Sequence, residues 1–235
     1  MKKLFVFFAL LVGLVSLASC GYESPAMSYE EFMAAENGDD VIIEGYISAR
    51  QSWWNGATLY LTGAKGEGYF VYNYECTEEE YNSDFVVGAC LRVYGSKTIY
   101  AGEHEIMGEN VDYEKSGIVK DAPKFDEKVL EVKSVKTEDL EAYQNALFTA
   151  TLTVKGSYSF KDDANKSDDI YFTLVDANGN TMDCCVEYYL VSAYDSVRNV
   201  IVSGDFVDGA SVTVTGYLYW WNGANPHITS IVVNK

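Results

Sequence analysis

The sequence predicts a mainly β protein made of two tandem five-stranded Greek-key barrels, each preceded by a short helix. Three observations carry this. First, the chain repeats: Leu59-Tyr60-Leu61-Thr62 matches Ile170-Tyr171-Phe172-Thr173 at an offset of 111, with Gly68 matching Gly179. A later block, Gly88-Ala89-Cys90-Leu91-Arg92-Val93-Tyr94-Gly95, matches Gly209-Ala210-Ser211-Val212-Thr213-Val214-Thr215-Gly216 at an offset of 121. A period near one hundred residues marks two copies of one fold, not a solenoid. Second, apolar residues alternate with polar ones, as a half-buried strand requires. Third, 48% of the 235 residues are hydrophobic, which suffices for packed cores and excludes a mainly disordered chain.

Each copy reads in the same order. Ser28 with Glu31 forms a capping box for a first helix, and Thr137 followed by Glu138 and Asp139 marks a second helix start. A first strand follows, Val41 to Arg50 in one copy and Leu147 to Gly156 in the other; Ala150, Leu152 and Val154 alternate with Thr151 and Thr153. The second strands are Thr58 to Ala64 and Asp169 to Asp176. Asp176-Ala177-Asn178-Gly179-Asn180 is a hairpin signal leading to the third strand. A non-strand connection comes next, acidic in copy one (Thr77 to Asp84), where Glu78-Glu79-Glu80 suits a helix start. The fourth strands follow Gly88 and Gly209, and the last hairpins carry Tyr100-Ala101-Gly102 and Trp220-Trp221-Asn222-Gly223. The expected units are 28–113 and 136–235, joined by a charged linker over 114–135.

Before the barrels stands an export signal. Lys2 and Lys3 precede an apolar run from Leu4 to Leu17, which is too short to span a bilayer comfortably. The run ends in Leu17-Ala18-Ser19-Cys20. This resembles a bacterial lipobox, which implies a signal peptide over 1–19, lipidation of Cys20 and a tether over 20–27. The protein is therefore expected outside the cytoplasm, lipid-anchored to the bacterial cell membrane through Cys20.

Five strands, a break after the third, and a Gly-x-x-x-Val-x-Gly fourth strand resemble the OB-fold. With Val41-Ile42-Ile43-Glu44-Gly45-Tyr46 as its first strand, copy one resembles the OB-fold domains of bacterial surface lipoproteins. Copy two has Phe148-Thr149-Ala150-Thr151-Leu152 at that strand. The resemblance implies a fold and supplies no catalytic residue.

Charge narrows the partners. With 17 Lys+Arg against 35 Asp+Glu the formal net charge is -18, which opposes bulk binding to nucleic acid. Two His and no Cys-x-x-Cys leave little for zinc, and no cofactor or metal is expected. No nucleophile with a partnering base stands out, so the protein is expected not to be an enzyme. Asp162, Asp163, Asn165, Ser167, Asp168 and Asp169 have the alternate oxygen spacing of a calcium loop but lack its Gly and terminal Glu, and read as a solvated loop. Export permits disulfides: Cys76 and Cys90 are a candidate pair, and one of the adjacent Cys184 and Cys185 is expected to be an ordinary buried thiol.

The remaining candidates are aromatic. Trp53-Trp54-Asn55-Gly56 lies between strands one and two of copy one, and Trp220-Trp221-Asn222-Gly223 between strands four and five of copy two. In OB-folds these loops flank the binding face. Adjacent residues of extended chain face opposite ways, so one Trp of each pair can pack inward while the other offers its ring. Asn-Gly is equally a tight-turn dipeptide. Tyr100, His104 and His227 fall in or beside the last hairpins. The candidate ligand-binding set is Trp53, Trp54, Asn55, Tyr100, His104, Trp220, Trp221, Asn222 and His227. The expected function is a non-catalytic surface module binding a glycan, peptide or protein. The alternative, a single-stranded nucleic-acid binder, is disfavoured by the acidic charge.

Overall fold

The computed structural model describes residues 22–162, 168–190 and 194–234. The signal peptide and Cys20 lie outside the described residues, as do 163–167 of the acidic loop. The protein is mainly β. The first sheet comprises β1 (Asp40–Arg50), β2 (Ala57–Thr62), β3 (Gly68–Tyr74), β4 (Cys90–Tyr100) and β5 (Glu103–Val111). Its order is β1-β2-β3-β5-β4, and β4 pairs back onto β1 to close it; β3 and β5 run parallel. This is the strand order of an OB barrel. Helix α1 (Tyr29–Ala34) precedes β1, and α2 (Glu78–Ser83) joins β3 to β4.

Two strands of two residues each, β6 (Gly117–Ile118) on β4 and β7 (Leu130–Glu131) on β8, fall within the stretch read as a linker. That stretch is further tied to the first barrel by Phe125 stacked on Tyr46 and by the Tyr46 hydroxyl donating to Pro123.

The second sheet comprises β8 (Leu147–Phe160), β9 (Ile170–Val175), β10 (Thr181–Val186), β11 (Ser211–Tyr217) and β12 (His227–Val233). Its order is β8-β9-β10-β12-β11, closed by β11 on β8. Helix α3 (Thr137–Leu140) precedes it and α4 (Tyr194–Val202) joins β10 to β11. Strand β8 is longer than the sequence pattern suggests. Lys136, not Thr137, occupies the N-cap of α3 and makes no side-chain cap.

Local chemistry explains the elements. Both capping boxes of the first barrel form: Ser28 with Glu31 opens α1, and Thr77 with Glu80 opens α2. The C-terminus of α1 has no basic residue of its own. Lys97 from β4 supplies the cation, its ammonium donating to the carbonyls of Phe32, Met33 and Ala35 at 2.5, 2.9 and 2.7 Å. Burial pushes this lysine down to about 8.

Each barrel has its own core. Ile43, Ile47, Leu59, Leu61, Leu91 and Ile106 fill the first, and Phe148, Ile170, Leu174, Val212 and Val214 the second. A third cluster joins the barrels: Ala49, Tyr60 and Phe70 meet Leu147, Leu190 and Tyr217. Strand β2 is consequently buried on both faces, Leu59 and Leu61 inward and Tyr60 against the second barrel.

The described cysteines are all free thiols, so Cys76 and Cys90 do not pair. Cys184 and Cys185 are both buried, where one was expected. Cys184 faces its own barrel's core, whereas Cys185 pairs with His227 on the side the first barrel covers.

Candidate binding groove between the barrels

The turn between β4 and β5 docks into the second barrel. Ala101 and Gly102 both have positive φ, 53° and 85°, which shapes a tight hairpin. The Ala101 carbonyl accepts from the Asn222 backbone at 2.6 Å, and the Gln144 side chain donates to the Gly102 carbonyl at 2.9 Å. Behind the turn, the oxygens of the buried Glu103 carboxyl accept from the Asn145 side-chain amide and from the Trp220 backbone N–H. Gly68 touches the same segment: a Cβ there would lie 1.9 Å from the carbonyl carbon of Asn145. A second tie joins Gln51 and Ser52 to Leu190 and Tyr189, with the Ser52 N–H donating to the Tyr189 carbonyl at 2.8 Å.

Between these two ties the barrels leave an open groove with two compartments that share Gln51 and Tyr72. One, about 530 Å³, is lined by Tyr72, Tyr100, Glu105, Glu187, Tyr219 and Trp221 among others. The other, about 310 Å³, is bounded by Trp53, Trp54, Asn73 and Tyr189. Five exposed aromatic side chains therefore border one feature: Trp54, Tyr72 and Tyr100 from the first barrel, Tyr189 and Trp221 from the second.

The two Trp pairs divide as extended chain dictates. Trp53 packs on the first core with its indole N–H donating to the Cys76 carbonyl, while Trp54 is 81% exposed. Trp220 is buried in the second core, and Trp221 is 49% exposed. Trp221 meets Tyr100 edge to face, centroids 5.4 Å apart, so this ring pair spans both barrels. Asn55 and Asn222 both have positive φ and form the tight turns that aim these rings; Trp221 N–H donates to the Gly223 carbonyl.

The histidines lie deeper. His227 is buried, stacked on Tyr219 at 4.3 Å, with Nδ1 2.7 Å from the Tyr60 hydroxyl and 3.3 Å from a Glu187 oxygen. The other Glu187 oxygen accepts from Gln51 Nε2 at 2.7 Å. His104 is half-buried and its Nδ1 has no hydrogen-bond partner; burial, aided by the Lys97 charge, pushes it down to about 4, so the ring is neutral. Tyr72, Tyr189, Glu105 and Glu187 escaped sequence reasoning. Tyr72 alone carried a signal, since it follows Phe70 on one face of a strand whose other face enters the core.

Two buried carboxyls, Glu103 behind the turn and Glu105 at the larger compartment, are shifted by burial. Glu103 is pushed up to about 8, against the pull of its bonds to Asn145 and Trp220, and Glu105 up to about 7. The thiols of Cys76 and Cys90 are pushed up to about 11 and 12, which keeps them protonated and weakly nucleophilic. Among the described residues no three His, Cys, Asp or Glu side chains group as a metal site, and no helix is long and apolar enough to cross a membrane.

No family model and no curated protein matches the chain. Among solved structures it is similar to the p204 HINb domain, at 12% identity over 85% of this chain and 100% of that one, with a TM-score of 0.34. It is also similar to the Ifi202 HINa domain in complex with 20-bp double-stranded DNA (12% identity, 83% and 98% covered, TM-score 0.33). A replication protein A heterotrimer bound to single-stranded DNA is similar at 9% identity, 88% and 68% covered, TM-score 0.31. The OB assignment rests on the strand order of the chain itself.

Proposed function

We propose that the chain is a non-catalytic binding module whose ligand lies in the inter-barrel groove, carried on an exported protein anchored through Cys20. The observation that supports the groove is the convergence of Trp54, Tyr72, Tyr100, Tyr189 and Trp221, drawn from both barrels, along one concavity. Aromatic rings left exposed together mark contact surfaces, and concave sites with a few polar groups mark ligand sites. The check is an array of glycans, peptides and single-stranded oligonucleotides probed with the full chain in detergent. Trp54→Ala and Trp221→Ala should weaken the bound class at least about tenfold with little change in stability. Trp220→Ala should instead cost about 3–5 kcal/mol of stability, because its ring sits in the core. Binding unchanged in both exposed-ring variants would remove the groove as the site.

Single-stranded nucleic acid is the second reading. The exposed rings favour it, since bases stack on aromatics for roughly 1–3 kcal/mol each. Against it, no Lys or Arg lines either groove compartment, and the net charge is -18.

Anchoring is supported by the n-region, apolar run and Leu17-Ala18-Ser19-Cys20 in that order. Cys20→Ser should move the protein from the membrane fraction or leave an unprocessed precursor. An unchanged mass and fractionation would defeat the anchor.

A further inference from the structure

The larger groove compartment carries an unanswered charge. Glu105 is only 5% exposed, borders that compartment, and has no hydrogen-bond or ion-pair partner among the described residues. The same compartment is lined by the rings of Tyr72, Tyr100, Tyr219 and Trp221, with no Lys or Arg; Glu187, also in the lining, already faces Gln51 Nε2 at 2.7 Å and His227 Nδ1 at 3.3 Å. A desolvated carboxylate without a cation is costly, and burial raises Glu105 to about 7 in response. Electron-rich ring faces beside a carboxylate are the chemistry that holds an ammonium group. The adjoining compartment differs: Gln51, Ser52, Thr58 and Asn73 offer neutral hydrogen-bonding groups beside Trp53, Trp54 and Tyr189, with no carboxylate. A free polyamine would leave its second ammonium there without a countercharge. A peptide would place its amides and a neutral side chain there.

Resting on the groove reading above, we infer that the occupant is an extended basic peptide segment whose lysine side chain enters between Tyr72, Tyr100 and Trp221 to pair with Glu105. The lysine stem lies along the rings while its ammonium meets the carboxylate. The acidic surface of the whole chain draws such a segment in.

The experiment titrates the full chain in detergent, read by tryptophan fluorescence, with a peptide library holding one central lysine between randomised flanks. The same library with Nε-acetyl-lysine, spermidine, a neutral oligosaccharide set and an oligo-dT strand are the other arms. Saturable binding of the lysine library is expected, reduced at least about tenfold by acetylation, by Glu105→Gln and by Trp221→Ala. Glu105→Gln removes a buried charge and should leave the melting temperature unchanged or raised, which separates lost binding from lost folding. Spermidine binding more tightly than the peptides would overturn the peptide assignment. Oligosaccharide or oligo-dT binding that depends on Trp54 and Trp221, with no peptide binding, would overturn the cation inference and leave the groove standing. Peptide binding that Trp221→Ala does not change would overturn both.

Discussion

Tyr60→Ala is expected to destabilise the protein by about 3–5 kcal/mol and to split its unfolding into two transitions. Tyr60 is fully buried, yet it belongs to neither barrel core. Its ring stacks on Tyr217 at 4.4 Å, packs on Phe70 at 4.9 Å and holds its hydroxyl 2.7 Å from His227. Removing it empties the centre of the cluster that joins the barrels while leaving both cores intact. Each barrel then unfolds on its own stability, as the sequence expectation of separate units over 28–113 and 136–235 requires. Tyr60→Phe keeps the packing and loses only the hydroxyl, which should cost about 1–2 kcal/mol. Denaturant melts followed by circular dichroism and by tryptophan fluorescence make the check. Coincident single transitions in Tyr60→Ala, with under about 1 kcal/mol lost, would show that the barrels are coupled elsewhere.

Stability should fall as pH rises from about 5 to above 8, by an amount on the order of several kcal/mol, and Glu103→Gln should remove most of that slope. The Glu103 carboxyl titrates near 4.5 when unfolded and about 8 when folded, because it is buried against the second barrel. Below the lower value both states hold the proton and nothing is lost. Between the two values the folded protein holds a proton that the unfolded chain has released, so each step up in pH favours unfolding. Glu105, raised to about 7, acts in the same direction. His104, pushed down to about 4, acts oppositely below about 6.5, where the unfolded chain takes up a proton that the folded protein refuses, and offsets one of the two carboxyls there; the capping carboxylates Glu31 and Glu80 also act oppositely, since their hydrogen bonds to Ser28 and Thr77 hold them below the usual range and are lost on acidification. Greatest stability is thus expected near pH 5. A glutamine at 103 reproduces the neutral form: its oxygen can accept from Trp220 N–H, and its NH2 can donate to Asn145 Oδ1, which has no partner. Stability that climbs from pH 5 to 8 in the parent protein would contradict the assignment of Glu103 as a neutral latch.

Both expectations concern the junction of the barrels, which is where sequence reading ran out. Within each barrel the pattern was legible, because the forces are local. Alternation over Leu147–Gly156 marks a strand, Asp176 to Asn180 folds as a hairpin, and the Ser28–Glu31 box starts a helix. The Trp-Trp-Asn-Gly pattern disclosed that one ring of each pair could face outward.

Which ring does so, and what it faces, depended on residues distant in sequence. Trp220 is held inward partly by Glu103, 117 positions away, and Trp221 finds its ring partner in Tyr100 of the other barrel. Tyr60 alternates with the inward Leu59 and Leu61 and is buried because Tyr217, Leu147 and Leu190 of the second sheet cover it. Lys97 and Glu105 carry no local signal of burial; one ends a helix from another element, and the other lies at the groove with no countercharge in its lining. The amino-acid sequence by itself determined the strands, the turns and the Ser28 cap, since these follow from backbone preference and the two-residue period. Burial of the outer face of β2 and of Phe70 on β3, and with it the groove, was decided by docking one barrel on the other. Desolvation is a property of what arrives from elsewhere in space, and no local pattern records it.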